Sequence, residues 1–235
     1  EDTADAKNSI LTRLEDLPYD YQLVDNKEKM AVLAEKLLVQ KFFSLDTETT
    51  GIDPITAELV GMSFSFAENQ AFYVPVPANR EEALTIVNIF KPAFENPDSL
   101  KIGQNIKYDL IMLANYGVTL KGKMFDTMIA HYVLQPELRH GMDYLAEIYL
   151  KYETIKIEEL IGAKGKKQGN MRDLAPEAVY KYACEDADVT LKLKQVLGNE
   201  LETNGVKKLF EEIEMPLVPV LAYMERNGVR IDTEA

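Results

Sequence analysis

The stretch FFSLDTETTG, residues 42–51, closes a short apolar run on two acids flanking one small residue, Asp46 and Glu48 around Thr47. In an extended chain, residues two apart share a face, so the two carboxylates project together and Thr47 points the other way. Such a pair can chelate a cation, and it fits a solvated pair at an exposed strand end just as well. A second candidate lies in GQNIKYDL, residues 103–110, where Asp109 follows a strand pattern and opens a helix. A carboxylate there is stabilised by unpaired amides and the helix dipole, which reads as an N-cap. Asn105 and Tyr108 add polar groups able to meet a sugar or a phosphate. The third is YACEDADVT, residues 182–190, in which Tyr182 and Asp186 stand four apart on one helical face, with Ala183 and Ala187 leaving room. Glu185 and Asp188 are rotated away from that stripe. An acidic helix is usually solvated, but tyrosine beside aspartate also offers a metal ligand next to a hydroxyl that can hold water.

The elements that must position these residues follow from periodicity. KEKMAVLAEKLL, from Lys27, has apolar residues at helical spacing. Three strands are expected, Lys41 to Thr47, Glu58 to Phe66 and Ala71 to Val76, and their short connections favour antiparallel neighbours. Helix and strand then alternate: EEALTIVNIFKPAF as helix, SLKIGQ as strand, DLIMLANYG as a helix closed by Gly117, and VTLKGKMFDT as a strand entering the helix MIAHYVL. Beyond Leu138 only helices are expected, GMDYLAEIYL and a long one from Pro176 to just before Gly205. Meander, alternation and helices together predict an α/β domain, a mixed sheet with helices on both faces.

The 235 residues carry 39 acids against 26 bases, a net charge of −13, which argues against holding nucleic acid or an anionic membrane by bulk charge while leaving room for a local site. Bases cluster most visibly in GAKGKKQGNMR, residues 162–172, which reads as a solvated flexible loop. No stretch approaches the roughly 20 apolar residues of a membrane span, and the polar N-terminus has no signal-peptide pattern. One cysteine, Cys184, fits a reducing compartment, so the expected location is cytoplasmic.

Taken in order, Asp46-x-Glu48, NIKYD ending at Asp109 and Tyr182-x-x-x-Asp186 resemble the three motifs of the proofreading 3′-5′ exonucleases. LVGMSFSF, ANYGVTLKGKMFDTM, YACEDADVTLKL and EIEMPLVPVLAYMERNGVRID resemble the exonuclease domain of the bacterial DNA polymerase I family, over about residue 20 to the C-terminus. The resemblance implies a ribonuclease H-like sheet over which four carboxylates converge on two divalent cations, Mg2+ or Mn2+. Asp46 would bridge both, Glu48 and Asp186 would complete the tighter site, Asp109 would hold the second ion through water, and Tyr182 would orient the attacking water. By motif position, Gln104, Asn105 and Tyr108 would touch the terminal nucleotides and Thr49 the 3′ end. Ile52 and Ile157 would wedge against the last bases, where an aromatic is familiar in place of Ile157, and both also fit a core. Arg139 would contact the backbone and otherwise reads as surface charge.

The implied organisation is a linker or arm over 1–20, the exonuclease domain over 21–210, and from 211 to 235 a helix leading toward a polymerase domain that does not follow, so no polymerase activity is expected. The implied partners are a single-stranded DNA 3′ end and the polymerase domain of the full-length chain, with no membrane and a monomeric state. A vestigial module that binds DNA or braces the polymerase would have lost its carboxylates, and all four are present. A ribonuclease D-like enzyme would keep the chemistry on RNA, and the C-terminal segment favours DNA. His131 reads as a core residue in an apolar helix, His140 as exposed, and Cys184 as unreactive.

Overall fold

The computed structural model describes residues 11–165 and 167–231. Its strands are β1 (Asp20–Leu23), β2 (Phe42–Thr49), β3 (Leu59–Ala67), β4 (Gln70–Pro75), β5 (Leu100–Gly103) and β6 (Met124–Asp126). The helices are α1 (Lys27–Leu38), α2 (Arg80–Phe94), α3 (Ile106–Asn115), α4 (Thr127–Leu134), α5 (Met142–Leu145), α6 (Ile157–Ile161), α7 (Pro176–Thr203), α8 (Lys207–Leu209) and α9 (Met215–Asn227). The strands form one mixed sheet in the order β1-β4-β3-β2-β5-β6. The meander β2-β3-β4 is antiparallel, as its short connections require, while β5 and β6 run parallel to β2 behind helical crossovers.

Alternation along β2 divides its side chains between two layers. Phe43 and Leu45 face a core in which Phe64 stacks on Phe90 of α2 at 5.3 Å between ring centroids and meets Phe43 edge-on at 6.1 Å. Rings at these separations add to the area they bury. Ser44, Asp46 and Glu48 face the other way, toward α7, and the Ser44 hydroxyl donates to the Ala187 carbonyl at 2.6 Å. The sheet is thus covered on both faces, as expected. No helix among the described residues is long and apolar enough to cross a membrane.

Two local expectations need correction. Residues 1–10 and 232–235 of the expected arm and C-terminal helix lie outside the described residues, but residues 11–20 are docked: Leu14 is buried and Thr12 bridges to Tyr152. The strand β1 that follows was not expected, because the polar-apolar alternation of DYQL runs for only four residues at a sheet edge, too short a stretch to mark a strand. Helix α3 begins at Ile106 rather than Asp109. Asn105 turns the chain in the left-handed region (φ 64°), and the amides of Asn105 and Ile106 are capped by Asp126, which also caps α4. Asp109 therefore sits a turn inside the helix and is no N-cap.

Candidate active site

The row Ser44, Asp46, Glu48 pairs across the sheet with Ser65, Ser63 and Gly61. Small residues on β3 allow α7 to lie close over this patch, and fully buried Ala183 and Ala187 make the contact from the helix side. Gly61 leaves a space that the Tyr73 ring fills, since a Cβ there would lie 2.3 Å from that ring. The register shifts between Glu48 and Thr49, a bulge that re-aims the strand end next to the acids.

This close approach brings Asp186 down onto the pair from β2. Asp46, Glu48 and Asp186 each offer an oxygen, and these atoms lie within 4.8 Å of one another. Glu48 and Asp186 are buried, Asp46 is partly open, and Glu48 Oε1 and Asp186 Oδ1 have no hydrogen-bond partner. Orphaned buried carboxylate oxygens are costly unless something positive meets them. Three hard oxygen donors suit a divalent cation of the Mg2+ or Mn2+ kind. The residues present fit such a group.

The electrostatics agree. Burial raises the Asp46 carboxyl to about 6. Burial, followed by the Asp46 charge, pushes Glu48, Asp109 and Asp186 well above the usual carboxylate range. Asp46 is the neighbour common to all three and so stands electrostatically at their centre. Tyr182 shares the helical face of Asp186 and keeps its proton, because burial and then the charges of Asp186, Glu48 and Asp46 raise its phenol.

The fourth carboxylate departs from the expected convergence. Asp109 is buried within the influence of Asp46, yet outside the three-oxygen cluster, and accepts a hydrogen bond from Thr47 Oγ1 at 2.6 Å. The pleat explains this: Thr47 points away from Asp46 and Glu48, and Asp109 reaches it from α3.

Of the expected substrate contacts, Thr49 and Tyr108 come together. Their hydroxyls and the Gly51 carbonyl oxygen lie within hydrogen-bond distance of one another, and the two O–H protons shared among these three oxygens close the turn after β2. Ile52, beyond that turn, is 97% exposed, so the core reading fails for it. Ile157 instead packs at the start of α6 against the cluster that holds Val60 and Tyr73. Gln104 is engaged at both ends of its amide, donating to the His140 carbonyl at 2.7 Å and accepting from Thr127. That first bond ties it to the segment carrying Arg139, whose guanidinium is exposed and lies over the Tyr144 ring. Asn105 forms the left-handed turn at the start of α3.

His131 is buried, as expected, but His140 is half-buried rather than exposed, because the two rings share a hydrogen bond between their Nδ1 atoms at 2.7 Å. Burial raises the Cys184 thiol, which leaves it unreactive. Sequence reasoning passed over several supports of the site. Arg172, read as part of a flexible loop, donates to the carbonyls of Leu59 and Val76 at 2.5 Å and pins the ends of β3 and β4. Glu185 and Asp188, read as solvated, are buried anchors. Glu185 accepts from the Tyr152 hydroxyl and the Ile155 amide, and Asp188 from Tyr21, the Asn69 amide and Lys192.

Comparison with known proteins gives a concordant picture. Residues 21–202 match the 3′-5′ exonuclease family. The chain is 42% identical over 224 residues to DNA polymerase I of Pseudomonas aeruginosa, covering 91% of this chain and 24% of that protein. It is 36% identical over 217 residues to DNA polymerase I of Borreliella burgdorferi, covering 91% and 23%. It thus spans about a quarter of the length of these relatives. Among solved structures, Brucella melitensis NrnC with bound Mg2+ shares the fold (TM-score 0.69, 21% identity, 93% of this chain and 99% of that one). So does the POL domain of Pol1 from M. smegmatis in complex with DNA primer-template and dNTP (TM-score 0.67, 20% identity, 90% and 33%).

Proposed function

This chain belongs to the family of 3′-5′ exonuclease domains found in DNA polymerase I, and from that premise we propose that Asp46, Glu48 and Asp186, with Asp109 beside them, hold two divalent cations, Mg2+ or Mn2+, and that the chain hydrolyses the 3′-terminal phosphodiester of single-stranded or frayed DNA. The observation that carries this reading is the buried three-oxygen cluster with two orphaned carboxylate oxygens. Divalent cations at such a cluster supply a Lewis acid for phosphoryl oxygens and lower the pKa of bound water.

The protein's own groups set up that chemistry. Asp46, whose charge acts on each of the other three acids, would hold the cations together with Glu48, Asp186 and Asp109. Tyr182 stays protonated at neutral pH and so orients a water by hydrogen bonding without taking its proton. Thr49 and Tyr108 shape the turn where a 3′ end arrives, and exposed Ile52 offers an apolar surface to a terminal base. Asn105, Arg139, Ile157 and, through its placement of the Arg139 segment, Gln104 complete the strand's path. With a net charge of −13 the domain has no bulk attraction with which to pull a duplex apart, so the strand must arrive already single. In a full-length polymerase the exonuclease domain, residues 21–210, is followed by α9, which leads toward the polymerase domain in the cytoplasm. The chain by itself acts as a monomer.

The test is digestion of a 5′-labelled single strand with Mg2+. A ladder shortened from the 3′ end, with mononucleotides released, slower loss of blunt duplex, DNA preferred to RNA and full arrest by chelator is the expected result. Internal cuts, digestion from the 5′ end, or activity indifferent to chelator overturns the reading.

A further inference from the structure

We propose that Thr47, the residue between the two acids of β2, is a positioning residue that sets the Asp109 carboxylate for its cation; the inference rests on the function proposed above. Threonine is an ordinary strand residue, and its place in the sheet, paired with Met62, would be served equally by valine. What valine lacks is the hydroxyl. Thr47 Oγ1 donates to Asp109 Oδ1 at 2.6 Å, both residues are buried, and among the described residues no other side chain donates to Asp109.

The arrangement fixes two acids from one strand. Asp46 and Thr47 are consecutive, so the backbone that aims Asp46 at Glu48 and Asp186 also aims the Thr47 hydroxyl at α3, on the opposite side. Asp109 approaches the cluster from α3, and the hydrogen bond commits one of its oxygens and holds its orientation relative to Asp46. Apart from the backbone amide of Asp109 itself, the Thr47 hydroxyl is what fixes the rotation of this buried carboxylate among the described residues. Groups that orient a metal-binding carboxylate typically change metal affinity 10- to 100-fold when removed.

The experiment titrates metal-free protein with Mn2+, read as free Mn2+ by electron paramagnetic resonance and as melting temperature. The Asp109-dependent binding is defined by the difference between wild type and Asp109→Asn. Thr47→Val is expected to weaken that component about 10- to 100-fold, Thr47→Ser to leave it within about threefold, and Thr47→Val to add nothing in the Asp109→Asn background. Should Thr47→Val fail to fold, Thr47→Ala is judged by the same criteria. Wild-type affinity in the folded valine or alanine variant, failure of serine to restore binding, or a further loss in the Asp109→Asn background overturns the proposal. If wild-type protein itself shows no Mn2+ binding, it is the metal-dependent function that falls.

Discussion

Replacing Asp46 by Asn in the metal-free protein should make it more stable, and the gain can be sized. Burial raises the Asp46 carboxyl from 3.8 to about 6. A rise of about two units corresponds to about 3 kcal/mol at roughly 1.4 kcal/mol per unit, and partial access to solvent lowers the figure to about 1–3 kcal/mol. The folded protein retains a proton that the unfolded chain releases. Stability is therefore lost as pH rises through the interval from 3.8 to about 6, and above it the whole penalty stands. Asparagine carries no charge and escapes the penalty. For a chain of this size, at about 3 °C per kcal/mol, metal-free Asp46→Asn should melt about 3–9 °C above wild type at pH 7.5. The advantage should shrink toward zero by pH 4. Adding Mn2+ should reverse the order, because only the wild type gains from binding, by about 4.1 kcal/mol at a thousandfold excess over the dissociation constant. Differential scanning calorimetry at the two pH values, with chelator and with Mn2+, measures all of this. A metal-free Asp46→Asn protein that melts at or below wild type at pH 7.5, or keeps its gain at pH 4, refutes the reasoning.

Asp186→Ala should cut the 3′-5′ degradation rate more than about hundredfold and Tyr182→Phe only about tenfold, since one removes a ligand and the other an orienting hydrogen bond; equal losses in folded variants would mean the roles are misassigned. Gly61→Ala should cost about 1–3 kcal/mol in denaturant titration, because its Cβ would meet the Tyr73 ring at 2.3 Å, and an unchanged midpoint contradicts the packing. Asp188→Ala removes the shared partner of Tyr21, Asn69 and Lys192 and should cost about 3 kcal/mol, with early proteolysis in β1; a protease-resistant β1 would show that the anchor lies elsewhere.

The amino-acid sequence by itself determined the strands around the site, the long helix and the identity of the acids. Spacing in a strand or a helix is local geometry: Asp46 and Glu48 share a face in any register, and Tyr182 and Asp186 share one in any helix. The span Pro176–Thr203 was legible from its terminal proline and the glycine that follows. What the tertiary structure decided depends on which layer covers which face. Asp186 joins the acids of β2 because Gly61, Ser63 and Ser65 happen to lie opposite them, a cross-strand register invisible along the chain. Packing against the sheet likewise turns Glu185 and Asp188 from apparent surface charges into buried anchors and leaves Arg172 half-buried, because the face of a helix or loop that becomes interior is chosen by what packs on it. Thr47 was read correctly as pointing away from the acids, but that Asp109 waits there follows only from helix α3 starting one turn early and lying against that side of the sheet.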